Sequence, residues 1–227
     1  MLQKIKICCI ANIEEAQLAT KTGASAIGLV GNMPSGPGII SDEMIHSIAK
    51  NIPSHIDSFL LTSEIDAKNI INHHKRTNTN TIQLVDRVNP ETYQELRLKI
   101  PVVKLVQVIH VIDQKAIDEA LKISNFVDAI LLDSGNPKLK IKELGGTGRT
   151  HNWDISKEIV KQSNKPVFLA GGLNPENVRK AIDYVRPYGV DICSGVRTHG
   201  KLDQNKLQLF FNEIKKYKSY EGQKKKS

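Results

Sequence analysis

Short apolar runs alternate along the chain with longer amphipathic stretches, and this order repeats without a break. Runs of this length predict buried strands, and stretches with apolar residues three and four positions apart predict helices packed on those strands. The predicted strands cover residues 4–10, 26–30, 58–62, 81–85, 102–109, 129–133 and 167–170, with an eighth inside 190–196. The predicted helices cover residues 14–22, 42–50, 65–75, 90–99, 114–123, 153–162, 175–184 and 203–216.

Strict alternation of about eight strands with about eight helices favours parallel strands joined by helical crossovers. Eight repeats predict an α/β fold, a single (β/α)8 TIM barrel whose parallel eight-stranded sheet closes on itself. An open doubly wound sheet is the alternative. That fold normally has a glycine-rich phosphate loop after its first strand, and residues 8–12 contain no glycine. We expect one barrel domain over residues 1–218 and a disordered basic tail over residues 219–227.

Composition and charge narrow the range of partners. The 227 residues are 40 % apolar and 25 % charged, as in ordinary globular proteins, and they suffice for one large core. No apolar run reaches membrane-spanning length and the first residues do not resemble a secretory leader, so no membrane partner is expected. The net charge of +8 comes without a nucleic-acid-binding motif, and part of it lies in the lysines at 224–226. No nucleic-acid partner is therefore expected.

The cysteines and histidines do not form the patterns of a metal site or a disulfide-rich protein. Cys8, Cys9 and Cys193 are too few and too unevenly spaced for zinc ligation or a disulfide framework. This indicates a reducing, cytoplasmic location and no metal. The histidines are scattered, and we expect His73, His74 and His151 at the surface rather than as ligands.

Two predicted strand ends have the features of a phosphate site. The seventh predicted strand runs into Gly171 and Gly172, followed by Asn174 as a helix N-cap with proline at the first helical position. The eighth ends at Ser194 and Gly195. In an eightfold barrel the loops after these two strands commonly share one phosphate, held by backbone amides and the helix dipole. The prediction is a phosphate site at these two glycine junctions.

Catalytic side chains of a barrel project from the C-terminal ends of its strands, where Cys8 and Asp133 lie. Strand alternation puts Lys6 and Cys8 on the face toward the barrel mouth and Cys9 on the isoleucine face beneath the helices. Pattern alone fits Cys8 equally well as a functional or a structural thiol. Lys6 is the candidate for lowering the pKa of Cys8, which with Asp133 would form a proton-transfer pair. The glycine-containing loop at 145–149 is long enough to close over a ligand.

Several of these residues stand in motifs that resemble one enzyme family. The motifs cover residues 6–8, 131–133, 145–148, 171–178, 185–187 and 190–196, in order between residue 4 and about residue 216. They are similar to the motifs of the phosphoribosylanthranilate isomerases of tryptophan biosynthesis. The resemblance implies a cofactor-free β/α barrel that acts as an aldose-ketose isomerase, an intramolecular oxidoreductase. Its reaction is an Amadori rearrangement of an aminoaldose to an aminoketose.

The resemblance also implies a role for each candidate group. Asp133 matches the family acid that protonates the ribose ring oxygen, and Cys8 matches the base that removes the C2 proton of the Schiff base. The ligand is a small anionic phosphorylated sugar with its phosphate near Gly171 and Ser194, and the protein is expected to be a monomer or a homodimer. Further substrate contacts are predicted at Lys6, Gln83, Gly146 and Arg149.

The sequence departs from the family pattern where the substrate carboxylate is expected to bind. Gly38 stands where the family has an arginine, and Ile39 where it has an aromatic residue. Residues 83–86 read Gln-Leu-Val-Asp instead of Gln-Leu-His-Gly, Cys9 replaces a glycine, and Arg197 stands at a commonly acidic position. Two alternatives therefore stay open: an isomerase acting on a different phosphorylated sugar, and a catalytically silent binder of phosphate ligands.

Overall fold

The strands of the computed structural model form a closed parallel barrel in the order in which they occur in the chain. The structure describes residues 4–135, residue 139 and residues 148–224, with side chains up to residue 216. The strands are β1 (Lys4–Ile7), β2 (Ala26–Val30), β3 (Asp57–Thr62), β4 (Thr81–Leu84), β5 (Lys104–His110), β6 (Ala129–Asp133), β7 (Val167–Leu169) and β8 (Gly189–Ile192). The helices are α1 (Ile13–Thr22), α2 (Asp42–Asn51), α3 (Ala67–Thr77), α4 (Pro90–Lys99), α5 (Lys115–Ser124), α6 (Trp153–Gln162), α7 (Val178–Val185) and α8 (Gln204–Lys224).

The pairing of β1 with β8 closes the barrel. Ile7 lies opposite Ile27 of β2 on one side and opposite Ile192 of β8 on the other. Each strand from β1 to β8 therefore has two hydrogen-bonded neighbours. The predicted (β/α)8 barrel is confirmed, and the open doubly wound sheet is wrong.

Strand alternation divides the apolar residues between two cores. Ile7 and Leu29 belong to the core between strands and helices, whereas Phe59 and Phe168 belong to the core inside the barrel. The two phenylalanine rings meet edge to face with their centroids 6.0 Å apart. Lys6 points into the same interior, as its strand position predicts, with Nζ 5.2 Å from the centroid of the Phe59 ring.

β1 is shorter than predicted, and this changes the direction of Cys9. The strand ends at Ile7, and Cys9 has a φ of 61°, in the left-handed region that residues other than glycine rarely adopt. The strand alternation stops before Cys9, which packs with the cluster inside the barrel. The prediction that Cys9 lies on the outer, isoleucine face is therefore wrong.

The turn before α7 is longer than predicted. The helix begins at Val178, although Asn174 was expected at its N-cap with proline at the first helical position. Asn174 and Asn177 instead close a turn reciprocally, because each side-chain oxygen accepts a hydrogen bond of 2.9 Å from the backbone N–H of the other. Asn174 thus caps a turn that precedes the helix.

The two adjacent histidines of α3 are buried, and their expected surface position is wrong. Nε2 of His73 lies 3.0 Å from Oδ1 of Asp42, and its Nδ1 lies 2.9 Å from Oγ1 of Thr62. Nε2 of His74 lies 2.7 Å from the carbonyl oxygen of Thr79. Burial lowers the pKa of His73 and so favours its neutral form. Both ring nitrogens of His73 and Nε2 of His74 therefore have polar partners, which allows the pair to be buried.

The last helix, α8, ends at Lys224, past residue 218, where the barrel domain is expected to end. Residues 225–227 of the predicted tail lie outside the described residues, and the domain boundary stays a prediction. Within the described part of the chain, none of the helices is long and apolar enough to cross a membrane.

Candidate active site

A cavity opens at the C-terminal ends of the barrel strands. It contains about 650 Å³ of space between the atoms when the open solvent at its mouth is included. The predicted site residues among its lining are Cys8, Gln83, Asp133, Gly171, Gly172 and Ser194. Residues that are far apart in sequence therefore come together in one cavity, which is where a barrel fold places its ligand.

Cys8 follows β1 directly and lies at the base of the cavity, with 6 % of its surface exposed. Its backbone N–H donates a 2.8 Å hydrogen bond to the carbonyl of Ile192, which extends the β1–β8 ladder by one residue. A hydrogen bond from the Cys9 thiol and the positive charge of Lys6 lower the pKa of Cys8, against the effect of burial. Lys6 therefore acts in the predicted direction, and the thiolate form is favoured.

Lys6 and Asp191 form a buried ion pair beneath the cavity. Nζ of Lys6 lies 3.0 Å from Oδ1 of Asp191, and the lysine side chain is fully buried. Burial favours the neutral amine, but the negative charges of Asp191 and of the Cys8 thiolate together outweigh this effect and raise the pKa of Lys6. The ammonium charge is therefore kept, and it lies next to the Cys8 thiol.

Asp133 ends β6 and is almost fully buried in the cavity lining. Burial raises the pKa of this carboxyl group, and the hydrogen bond from the Ser134 N–H, which is 2.7 Å long, only partly opposes the shift. His110 lies at the matching register position on β5 and donates from Nε2 to the carbonyl of Val85. Asp133 is thus suited to keep a proton that it can donate.

The glycines after β7 and β8 bring two loops into close contact. Gly171 and Gly172 have φ values of 77° and 61°, which glycine adopts without strain, and both line the cavity together with Ser194. Gly195 has a structural role. A β-carbon there would lie 2.1 Å from the carbonyl oxygen of Leu173, so this glycine lets the two loops pack together.

The other predicted substrate contacts lie at different distances from the cavity. Gln83 lines it, and its Oε1 is buried and has no hydrogen-bond partner among the described residues. Lys6 lies below the lining, against Asp191. Arg149 is exposed, with its backbone packed against Gly172. Gly146 lies outside the described residues.

A family model described as N-(5'phosphoribosyl)anthranilate (PRA) isomerase matches residues 5–213. The chain belongs to the PRA isomerase family. A relative from Methanosarcina mazei, N-(5'-phosphoribosyl)anthranilate isomerase 2, is 36 % identical to this chain over 93 % of the chain and 94 % of the relative. A second, from Methanocella arvoryzae, is 31 % identical over 94 % of the chain and 99 % of its own length.

Solved PRA isomerases have the same fold. The Thermotoga maritima enzyme is 30 % identical, with a TM-score of 0.81 over 95 % of this chain and 99 % of its own. A PRA isomerase solved with reduced 1-(o-carboxyphenylamino)-1-deoxyribulose 5-phosphate is 28 % identical, with a TM-score of 0.78 and the same coverage. A structure of monomers of the dimeric Thermotoga enzyme is 27 % identical, with a TM-score of 0.76 over 95 % of this chain and 99 % of that chain. Both monomeric and dimeric forms therefore occur among these PRA isomerases.

Sequence reasoning missed two residues of this PRA isomerase site. Asp191 is a charged residue within an apolar strand. This break in the apolar pattern was the signal in the sequence that could have indicated a carboxylate in the site. Gly28 leaves space for the side chains at the bottom of the site. A β-carbon at Gly28 would lie 2.7 Å from Sγ of Cys8 and 2.9 Å from Nζ of Lys6. The glycine in β2 is thus required by the two side chains that project from β1.

Arg197, noted in the sequence as a departure from the PRA isomerase pattern, supports the end of β1. Its Nη2 donates hydrogen bonds to the carbonyl oxygens of Cys8 and Cys9, and its Nη1 donates to the Glu15 carboxylate. These bonds hold Cys9 in its left-handed conformation. The loop after β8 therefore fixes the backbone that carries the Cys8 thiol.

The Gly172→Ala variant should bind ribose 5-phosphate at least about tenfold more weakly than the native PRA isomerase. The added β-carbon would lie 2.5 Å from the carbonyl carbon of Arg149 and 2.6 Å from N of Thr150, so the backbone around the predicted phosphate site must move. Gly200→Ala is the matched control, because Gly200 has a φ of 77° and an added β-carbon would have no atom of the described residues within 4 Å. Calorimetry should show weaker binding for the first variant alone, and equal affinities would argue against a phosphate at Gly172.

Proposed function

We propose that the protein converts N-(5'-phosphoribosyl)anthranilate into 1-(o-carboxyphenylamino)-1-deoxyribulose 5-phosphate, a step of tryptophan biosynthesis. The observation that carries this proposal is one cavity that holds a thiol with a lowered pKa and a carboxyl group with a raised pKa. The reaction needs an acid for ring opening and a base for the next step, and the two opposite pKa shifts favour the protonated acid and the deprotonated base. Membership of the PRA isomerase family supports this assignment.

Asp133 is proposed as the general acid for ring opening. Its proton passes to the ribose ring oxygen as the bond between C1 and that oxygen breaks, which leaves a protonated Schiff base at C1. Burial raises the pKa of this carboxyl group and so favours the protonated form that the step requires. The step leaves Asp133 as a carboxylate and the sugar in its open-chain form.

Cys8 is proposed as the general base for the second step. Its thiolate removes the C2 proton of the Schiff base, and the electron pair of the C–H bond moves to neutralise the imine nitrogen, which yields an enolamine. Tautomerisation of the enolamine gives the ketone at C2. One proton has then moved from Asp133 to Cys8 through the substrate, and its return resets the enzyme without any net change in composition. The buried ammonium of Lys6 stabilises the thiolate between turnovers.

The phosphate is proposed to lie at Gly171, Gly172, Ser194 and Gly195, with Gln83 and Arg149 as further contacts. Oε1 of Gln83 has no partner within the described part of the chain and is an acceptor that a sugar hydroxyl can use. The substrate class is a small anionic phosphorylated sugar. The monomeric or homodimeric state and the cytoplasmic location stay predictions.

The purified protein should turn over freshly prepared N-(5'-phosphoribosyl)anthranilate, which is followed as the loss of anthranilate fluorescence. A reaction without protein is the control for uncatalysed decay of the substrate, and the Asp133→Asn variant is the control for loss of the general acid. A folded protein that binds ribose 5-phosphate and turns over neither this compound nor another phosphorylated aminosugar would contradict the proposal and favour a silent phosphate binder.

A further inference from the structure

The two ends of the cavity differ in their chemistry. The end over β7 and β8 carries Gly171, Gly172 and Ser194. The end over β2, β3 and β4 is mostly apolar, with Val30, Met33, Leu61 and Val85 in its lining beside the polar side chains of Ser35 and Gln83. β3 and β4 lie half a barrel away from β7 and β8 in the closed strand order. A ribose phosphate held at the glycine end therefore directs the substituent on its C1 nitrogen toward the apolar end.

Contact between Gly38 and Cys9 fixes the shape of the apolar end. Gly38 has a φ of 78°, and a β-carbon there would lie 2.6 Å from Cβ and 3.1 Å from Cα of Cys9. The segment is anchored on one side by a 3.0 Å hydrogen bond from the Ile40 N–H to the carbonyl of Val30. Cys9 is anchored on the other side by Arg197. Residue 38 therefore has no space for a side chain that would reach along this wall.

The described lining of the cavity has no cation to offer a further carboxylate at the apolar end. Its two acidic residues are Asp133, whose raised pKa favours the neutral acid, and Asp191. The ammonium of Lys6 lies below and is engaged with Asp191 at 3.0 Å. Among the lining residues that the structure describes, none is Lys, Arg or His. A carboxylate placed against apolar side chains without a cation loses its hydration without replacement.

We propose a further activity for this site, the Amadori rearrangement of N-(5-phosphoribosyl)arylamines that carry no carboxylate on the ring. The inference rests on the proposed function, because it uses the same acid, base and phosphate end. The ring carboxylate of anthranilate takes part in none of the bond changes. The bond from C1 to the ring oxygen breaks, the C2 proton passes to Cys8, and the product is an isomer of the substrate. The apolar end selects the amine by its aromatic ring.

The test compares kcat/KM for N-(5-phosphoribosyl)aniline and N-(5-phosphoribosyl)anthranilate on the native protein. Both compounds are prepared fresh from ribose 5-phosphate and the amine, and both products are quantified by chromatography. A built, charge-assisted contact to the carboxylate would favour the anthranilate compound by more than about tenfold. We therefore expect kcat/KM for the aniline compound to be at least about one tenth of the value for the anthranilate compound. A lower ratio overturns the inference and leaves the proposed function standing, whereas turnover of neither compound overturns both.

A cation introduced at the apolar end should reverse the preference. The double variant Cys9→Gly/Gly38→Arg removes the β-carbon that blocks residue 38 and then adds a guanidinium, and Cys9→Gly alone is its matched control. Relative to that control, we expect the double variant to favour the anthranilate compound by a further tenfold or more. Thermal unfolding confirms that both variants are folded. An unchanged ratio in a folded double variant would refute the role of this wall in selecting the substrate.

Discussion

Replacing Cys8 with serine is expected to lower kcat for N-(5'-phosphoribosyl)anthranilate by about 10²- to 10⁴-fold while the barrel stays folded. The thiol has a lowered pKa next to Lys6, whereas a serine hydroxyl stays protonated at every working pH and cannot take the C2 proton. In the native enzyme, kcat/KM should fall as the pH drops below the pKa of Cys8, because the base becomes protonated. Steady-state kinetics across pH and thermal unfolding measure both effects.

Cys9→Ser is the matched control for this variant, because it makes the same chemical change at the adjacent thiol. Cys9 donates a hydrogen bond that lowers the pKa of Cys8, and a serine hydroxyl can donate the same bond. We expect kcat to stay within about tenfold of the native value, because the variant loses at most one supporting hydrogen bond. A large loss in Cys9→Ser together with an active Cys8→Ser would identify Cys9 as the base.

The Asp133→Asn variant is expected to lose about 10²- to 10⁴-fold in kcat/KM. Its amide oxygen can still accept the hydrogen bond from Ser134, but the side chain has no acidic proton for the ring oxygen. The native pH profile should also have an alkaline limb, because kcat/KM falls as the pH rises above the raised pKa of Asp133. Residual activity of the variant should lack that limb, which a pH profile measures directly.

The stability of Asp133→Asn separates a catalytic loss from a folding defect. A carboxyl group whose pKa is raised by folding destabilises the folded state once the pH exceeds its unfolded pKa, so a neutral amide should leave the melting temperature unchanged or higher near neutral pH. Asp118→Asn, at an exposed position on α5, is the control for the same chemical change. Full activity of Asp133→Asn would mean that another group protonates the ring oxygen.

The barrel itself could be predicted from the sequence because each strand is a short apolar run and each helix follows with a regular amphipathic pattern. Strand β6, from Ala129 to Asp133, has the predicted bounds because a short run of apolar residues is enough to predict its burial. The direction of Cys9 could not be predicted in the same way. It depends on a backbone conformation held by Arg197, which is 188 residues away in the chain. Alternation is a reliable guide only as far as the strand continues.

The ion pair under the thiol shows a second limit of local patterns. Lys6 is a conspicuous charge in β1, but its partner Asp191 becomes a neighbour only when the barrel closes. His73 is similar, because its partner Asp42 lies on the preceding helix. A pattern read along the chain reveals that a polar residue is unusual, but the residue that compensates it is defined by the tertiary structure.

The ion pair also specifies how the two ends of the sheet join. Lys6 and Asp191 occupy paired positions in the β1–β8 ladder, which is the contact between the first and the last strand. A slip by one residue would turn one of the two charges toward the helices and leave both without a partner in an apolar core. A barrel that closes in the wrong register is therefore less stable. The ion pair beneath the Cys8 thiol thus also fixes the register of β8 against β1.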